Sequence, residues 1–251
     1  MEVAASELQE KKSWSGFWSG LIWYAVGYFC IIATQLVAII ALMIIEVVQS
    51  GSELSEARIQ ESFLDGDALS ISFIIFLPLI LGILSFVVKI RRRQPLFSYL
   101  GFKVVSKAVL AKWVSTAVAL LIIAYICGLI FNRPPFPEWI IKAYASTDIV
   151  WLFLLTITVL GPVAEELLYR GYIIKVWANS IVGPIFGTLL LSVLWAVTHL
   201  QYDFYDMAWI VILGIVLCMS RLSTKSIYPA MIIHIGWNAV STLALVSQNS
   251  A

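Results

Sequence analysis

Apolar residues in this chain fall in long runs, and polar residues crowd into the short intervals between them. A hydrocarbon core about 30 Å thick takes roughly 20 apolar residues of helix to cross. On that measure the runs predict spans at residues 20–45, 68–88, 109–131, 149–177, 184–200, 207–219 and 227–246. The sixth run is short enough for a half-helix. The fourth is open to a break at Gly161 and Pro162, because proline removes a donor and crowds the preceding turn. The expected fold is all-α: a polytopic transmembrane helical bundle of about 7–8 helices, with residues 1–147 as N-terminal membrane helices and loops and 148–247 as the core that carries the chemistry.

Composition agrees. The 251 residues are 61% hydrophobic and 12% charged, with a mean hydropathy of +0.94, outside the balance of a soluble domain. The first run is too long for a signal peptide and has no small-residue cleavage site, so it reads as a span. A net charge of +1 gives no electrostatic support for a nucleic-acid partner. Cys30, Cys127 and Cys218 lie far apart in apolar runs and read as free thiols. No internal repeat supports an inverted-repeat transporter.

The intervals differ in sign. Lys89, Arg91, Arg92, Arg93, Lys103 and Lys107 follow the second run, whereas residues 51–67 carry five acids against Arg58. The positive-inside rule puts the basic loop in the cytoplasm, Lys11 and Lys12 put the N-terminus there too, and Arg221 with Lys225 agree between the last two helices. Residues 132–148 then form an external loop. Leu96, Phe97, Leu100 and Phe102 suit an interfacial helix, although topology alone explains the basic loop.

Against this background Glu165, Glu166, Arg170, His199 and His234 stand out, since ionisable groups in hydrocarbon are costly and mark active or transport sites. Glu166 and Arg170 are i,i+4 neighbours that can pair, and Glu165 is turned about 100° away from Glu166. His234 and Asn238 share a face at the same spacing. Glu165 lies about 15 residues before the turn near Ser180 and His199 about 16 after it, so antiparallel helices bring the two to one depth. A carboxylate beside an imidazole can deprotonate water, and an imidazole with an amide can donate to an oxyanion. The chain has no H-E-x-x-H and no G-x-S-x-G. Ser192 and Ser241 share faces with the histidines, which leaves a serine nucleophile formally open. Lys112 and Lys175 read as snorkelling residues, Glu46 as interfacial, and Tyr169 and Tyr172 as packing.

At Glu165-Glu166-Leu-Leu-Tyr-Arg170-Gly171, Trp195-Ala-Val-Thr-His199 and His234-Ile-Gly-Trp-Asn238 the chain resembles the CPBP family of CAAX proteases and bacteriocin-processing enzymes, also called Abi, over residues 149–246. The family usually has Phe where this chain has Trp195. The resemblance implies an intramembrane glutamate endopeptidase with a cavity facing the cytoplasm. Glu165 would activate water with help from His199, His234 and Asn238 would form the oxyanion hole, and Glu166 with Arg170 would support the site. It implies a membrane-anchored or prenylated (CAAX-type) peptide or protein as substrate and the lipid bilayer as surroundings. It also implies a multi-pass protein, with a bacterial plasma membrane as the expected location. Zinc was once suggested for the family, but the His-x-x-x-Asn pair offers an amide where zinc wants a ligand, so no cofactor is expected. The alternative from another class is a non-catalytic bacteriocin-immunity or peptide-binding membrane protein.

Overall fold

Hydropathy of this kind forces every backbone donor and acceptor to be satisfied within a span, which favours uninterrupted helices. A computed structural model describes residues 14–249 apart from positions 52 and 54, and among these it contains helices and no strands. The helices are α1 (Trp14–Ser50), α2 (Glu56–Ser62), α3 (Gly66–Val87), α4 (Leu96–Leu100), α5 (Lys107–Ile130), α6 (Glu138–Ser146), α7 (Val150–Ala178), α8 (Gly183–Val197), α9 (Phe204–Thr224) and α10 (Tyr228–Asn249). Six are long and apolar enough to cross a membrane; α8, with 15 residues, is shorter. The protein is therefore an integral, multi-pass membrane protein. Lys11 and Lys12 fall outside the described residues.

The run expected to be short, residues 207–219, is a full 21-residue helix, because Asp203 caps it and the amphipathic turn 204–206 extends it. The short helix is α8. At 37 residues α1 is about 55 Å long, well beyond the hydrocarbon thickness. Its acidic-end turn is tied down where Arg58 Nε donates to Glu46 at 2.9 Å.

At the centre stands α7, packed by α1, α3, α4, α8, α9 and α10. It does not break at Gly161 and Pro162. Instead it widens into π-helical turns at Thr156–Leu160 and Leu167–Ile173, on either side of the two glutamates. Gly161 N–H bonds to Thr156 C=O, five residues back. Pro162 has no N–H to offer Ile157, so that carbonyl must find a donor elsewhere. On the outside, α5 packs on α9 and α10 and buries only Ala117, as suits a lipid-facing helix.

The basic loop holds more than topology signals. Its short helix α4 sinks Tyr99 and Leu100 into the core and ends on Gly101 at φ 85°, where only glycine is unstrained. Gly101 C=O accepts from Ile227 N–H at 2.9 Å, and Lys175 Nζ donates to Tyr99 C=O at 3.0 Å. Lys175 is thus anchored in the fold, contrary to the snorkelling expectation. Arg221, read from sequence as a topology charge, is buried and donates to the carbonyls of Arg170 (3.0 Å) and Leu100 (3.3 Å).

At the opposite end the Asp65-Gly66-Asp67 turn joins α3 to the start of α7. Asp65 Oδ1 caps α3 by accepting from the N–H groups of Asp67 and Ala68. A Cβ on Gly66 would sit 2.2 Å from Ala143 C=O, so only glycine lets α6 approach. Asp67 accepts from Thr147 Oγ1 (2.5 Å), Asp148 N–H (2.9 Å) and Ile149 N–H (3.2 Å). Asp67→Ala removes acceptors from two backbone donors and a hydroxyl at the head of α7, and we expect it to cost about 1–3 kcal/mol. Thermal unfolding in detergent measures this, and an unchanged midpoint would show that the cap does not hold α7.

Candidate active site

In this bundle α7, α8 and α10 bring the polar residues to one cavity of about 600 Å³. Glu165, Trp195, His199, His234 and Asn238 all line it. Glu166 and Arg170 lie behind it, each with no exposed surface. The 100° offset between adjacent glutamates separates them as the helical geometry requires: Glu165 is half-buried at the cavity wall, Glu166 is sealed in the bundle.

One oxygen of Glu166, Oε1, accepts from Arg170 Nη1 at 3.0 Å and from His234 Nδ1 at 2.9 Å. A carboxylate only accepts, so His234 carries its hydrogen on Nδ1. Its Nε2 can therefore donate only when the ring is doubly protonated. Arg170 also donates to Gly214 C=O at 3.4 Å, and its guanidinium lies 4.3 Å from the centre of the Trp195 ring. These contacts compensate a buried ion pair that alone would be expensive in hydrocarbon.

Trp195 joins this buried layer to the cavity. Its indole N–H donates to Glu165 Oε2 at 2.6 Å, fixing the carboxylate. Its backbone carbonyl accepts from His199 Nδ1 at 2.9 Å, which leaves His199 Nε2 as the ring's acceptor. Both histidine rings meet the indole edge-on, at 5.4 Å and 5.2 Å. The sequence reading counted Trp195 only as a variation in pocket shape. The signal available was chemical: Trp brings a donor that Phe lacks, on the helix that follows the glutamates.

Asn238 Nδ2 donates to Ile157 C=O at 2.8 Å, supplying the donor that Pro162 withholds from the π-helical turn. The NH2 group carries a second hydrogen, so this bond orients the amide without consuming it. Thr158 Oγ1 donates to Thr242 Oγ1 at 3.0 Å and adds a second tie between α7 and α10. Ser192 is fully buried and donates to Thr188 C=O, and Ser241 donates to Trp237 C=O. Neither is set against a base. Tyr169 and Tyr172 pack in the core. Cys30, Cys127 and Cys218 are free thiols. Among the described residues no three His, Cys, Asp or Glu side chains are gathered to hold a metal.

Toward its mouth the cavity is lined by Arg133, the Pro134–Pro137 stretch, Trp139 and Tyr202. Trp139 and Tyr202 rings meet edge-on at 5.2 Å, and Arg133 pairs with Asp203. The N–H of Asp206 and then Arg133 hold the Asp203 carboxyl below the usual aspartate range. A lowered folded-state value contributes stability above the ordinary range that is lost as pH falls through the lowered one, so this tie persists at neutral pH. None of these residues belongs to the basic loops. The cavity lining comes from the end of the bundle opposite the basic loop.

Residues 147–240 match the family model described as Rce1-like, type II CAAX prenyl endopeptidase Rce1-like. The chain is also 27% identical over 127 residues to a curated Escherichia coli protein described as an uncharacterized 24.3 kDa protein, an alignment covering 49% of this chain and 58% of that relative's length. No solved structure matches the chain.

Arg170→Met should strand a buried carboxylate and destabilise the protein by about 3–5 kcal/mol, whereas Glu166→Gln/Arg170→Met should recover part of that loss. Unfolding midpoints of the two single variants and the double variant check this. Strictly additive losses would mean that the pair is not coupled.

Proposed function

With residues 147–240 forming a segment of the Rce1-like CPBP family, we propose that this protein is an intramembrane endopeptidase in which Glu165 activates water to hydrolyse a peptide bond. The observation that carries the reading is a half-buried glutamate on the wall of a largely aromatic and apolar cavity, held by Trp195 and accompanied by His199. A carboxylate there has no packing role to explain it, and its burial cost marks function.

In the proposed reaction Glu165 takes a proton from a water that also donates to His199 Nε2. The hydroxide oxygen bonds to the peptide carbon as the C=O π pair moves onto oxygen. The second Asn238 N–H and, when the ring is doubly protonated, His234 Nε2–H donate to that oxyanion. Collapse breaks the C–N bond, and the proton held by Glu165 passes to the leaving amine. Glu166 and Arg170 touch no reacting atom and act by positioning His234 and Trp195. The proposed chemistry calls on no metal, because Glu165 itself serves as the base that activates water.

Substrate binding draws on donors along the cavity. The indole N–H of Trp139 and the hydroxyl of Tyr205 are buried without partners among the described residues, and both residues line the cavity. Peptide carbonyls would satisfy them, which supports a polypeptide occupant, and the surrounding bilayer favours one that is membrane-anchored or lipid-linked. A bacterial plasma membrane is the proposed location.

The test is cleavage of a peptide library by the purified protein in detergent, followed by mass spectrometry. Glu165→Gln should lower the rate about 10²–10⁴-fold with an unchanged unfolding midpoint, and 1,10-phenanthroline should leave the wild type active. Activity retained by Glu165→Gln would overturn the assignment, and binding of peptides without turnover by the wild type would point to an immunity or peptide-binding protein.

A further inference from the structure

The two ends of the bundle are sorted by charge. Basic-end segments include the last turn of α3, α4, the start of α5, and the α7–α8 and α9–α10 turns. They are held together by Lys175 on the Tyr99 carbonyl and by Ile227 N–H on Gly101. There residues 89–112 hold seven Lys or Arg and no acid, and Lys175, Arg221 and Lys225 add three more. At the other end residues 46–67 hold six acids against Arg58, residues 131–150 hold Glu138 and Asp148 against Arg133 and Lys142, and residues 198–207 hold Asp203 and Asp206 alone.

The cavity belongs to the acidic end. Its outer wall comes from Arg133–Pro137, Trp139, Gln201 and Tyr202, and among the described side chains the residues that line it include none of the basic-end cations. From Glu165 and His234 it runs along the second half of α10, past Asn238 to Leu245, away from the basic end where α10 begins. Lys and Arg near span ends stay in the cytosol, and acids exert little pull of their own. Ten cations against three fix the orientation with the cavity mouth on the far side.

We propose that the cavity opens on the non-cytoplasmic face of the membrane and admits polypeptide segments presented from outside the cytosol. A cytosolic lipid-modified C-terminus would meet the basic end, away from the residues that line the cavity. That the occupant is cleaved rests on the proposed function; the orientation does not.

The test uses the full chain expressed in the Escherichia coli inner membrane and a membrane-impermeant maleimide applied to intact spheroplasts. Gln201→Cys, at the mouth, should label at least about tenfold faster than Lys103→Cys, at the basic end, over the wild-type thiol background, with the difference vanishing after lysis. The reverse order, or equal labelling before lysis, would overturn the proposal. A second readout needs no substitution: α10 runs toward the acidic end, so alkaline phosphatase fused after Ala251 should be active and green fluorescent protein fused there dark, and the opposite pair would also overturn it. Neither readout depends on cleavage, so an inactive purified enzyme would sink the peptidase reading alone, and reversed labelling would sink the orientation alone.

Discussion

A single carboxylate oxygen organises the site. Glu166 Oε1 accepts at once from Arg170 on its own helix and His234 on another, in a place with no solvent. Removing Arg170 leaves uncompensated charge in a low-dielectric interior and removing His234 leaves the carboxylate short of a donor, so the pairing fixes how α7 and α10 face each other. Arg170 then supports Trp195 from beneath its ring, and Trp195 fixes Glu165 and His199. The cavity groups inherit their positions from this dry layer, so in the proposed mechanism the positional precision that catalysis demands comes from residues behind the cavity.

A second constraint comes from proline. Pro162 precedes the glutamates by one turn and withholds a backbone donor where hydrocarbon provides no substitute. The helix responds with a π-helical turn, and Asn238 closes the gap at Ile157. One amide thereby links the strain in α7 to the face of α10 that carries His234. The same turn sets the rotation of α7 at Glu165, which joins a local backbone defect to the placement of the proposed base.

Much of this was legible in the chain itself. The spacings of Glu166 to Arg170 and His234 to Asn238 gave the shared faces, and the depth arithmetic brought Glu165 and His199 to one cavity, because helical geometry is rigid enough to count along. Hydropathy missed what it does not measure. It saw Trp195 as apolar bulk, although the decisive property is its N–H. It read the basic loop as a topology signal, although Tyr99 and Leu100 wedge beneath the α7 helix. It leaves Lys175 as a snorkelling residue and Arg221 as a topology charge, although both are fastened to carbonyls that hold loops to helices. Periodicity also carries no record of a π-helical turn, which shifts register without changing composition. Loop charge remains informative in another way: read with the cavity's position, it opposes the cytoplasmic opening that the family resemblance implies.

The central claim is that Glu165 faces the cavity in order to cut a polypeptide. The most direct measurement compares the termini of membrane proteins by mass spectrometry in cells carrying the wild type or Glu165→Gln at matched expression. The account predicts termini that appear only with the wild type, arising near membrane-embedded or membrane-adjacent segments. Indistinguishable terminal profiles in the two strains would contradict it.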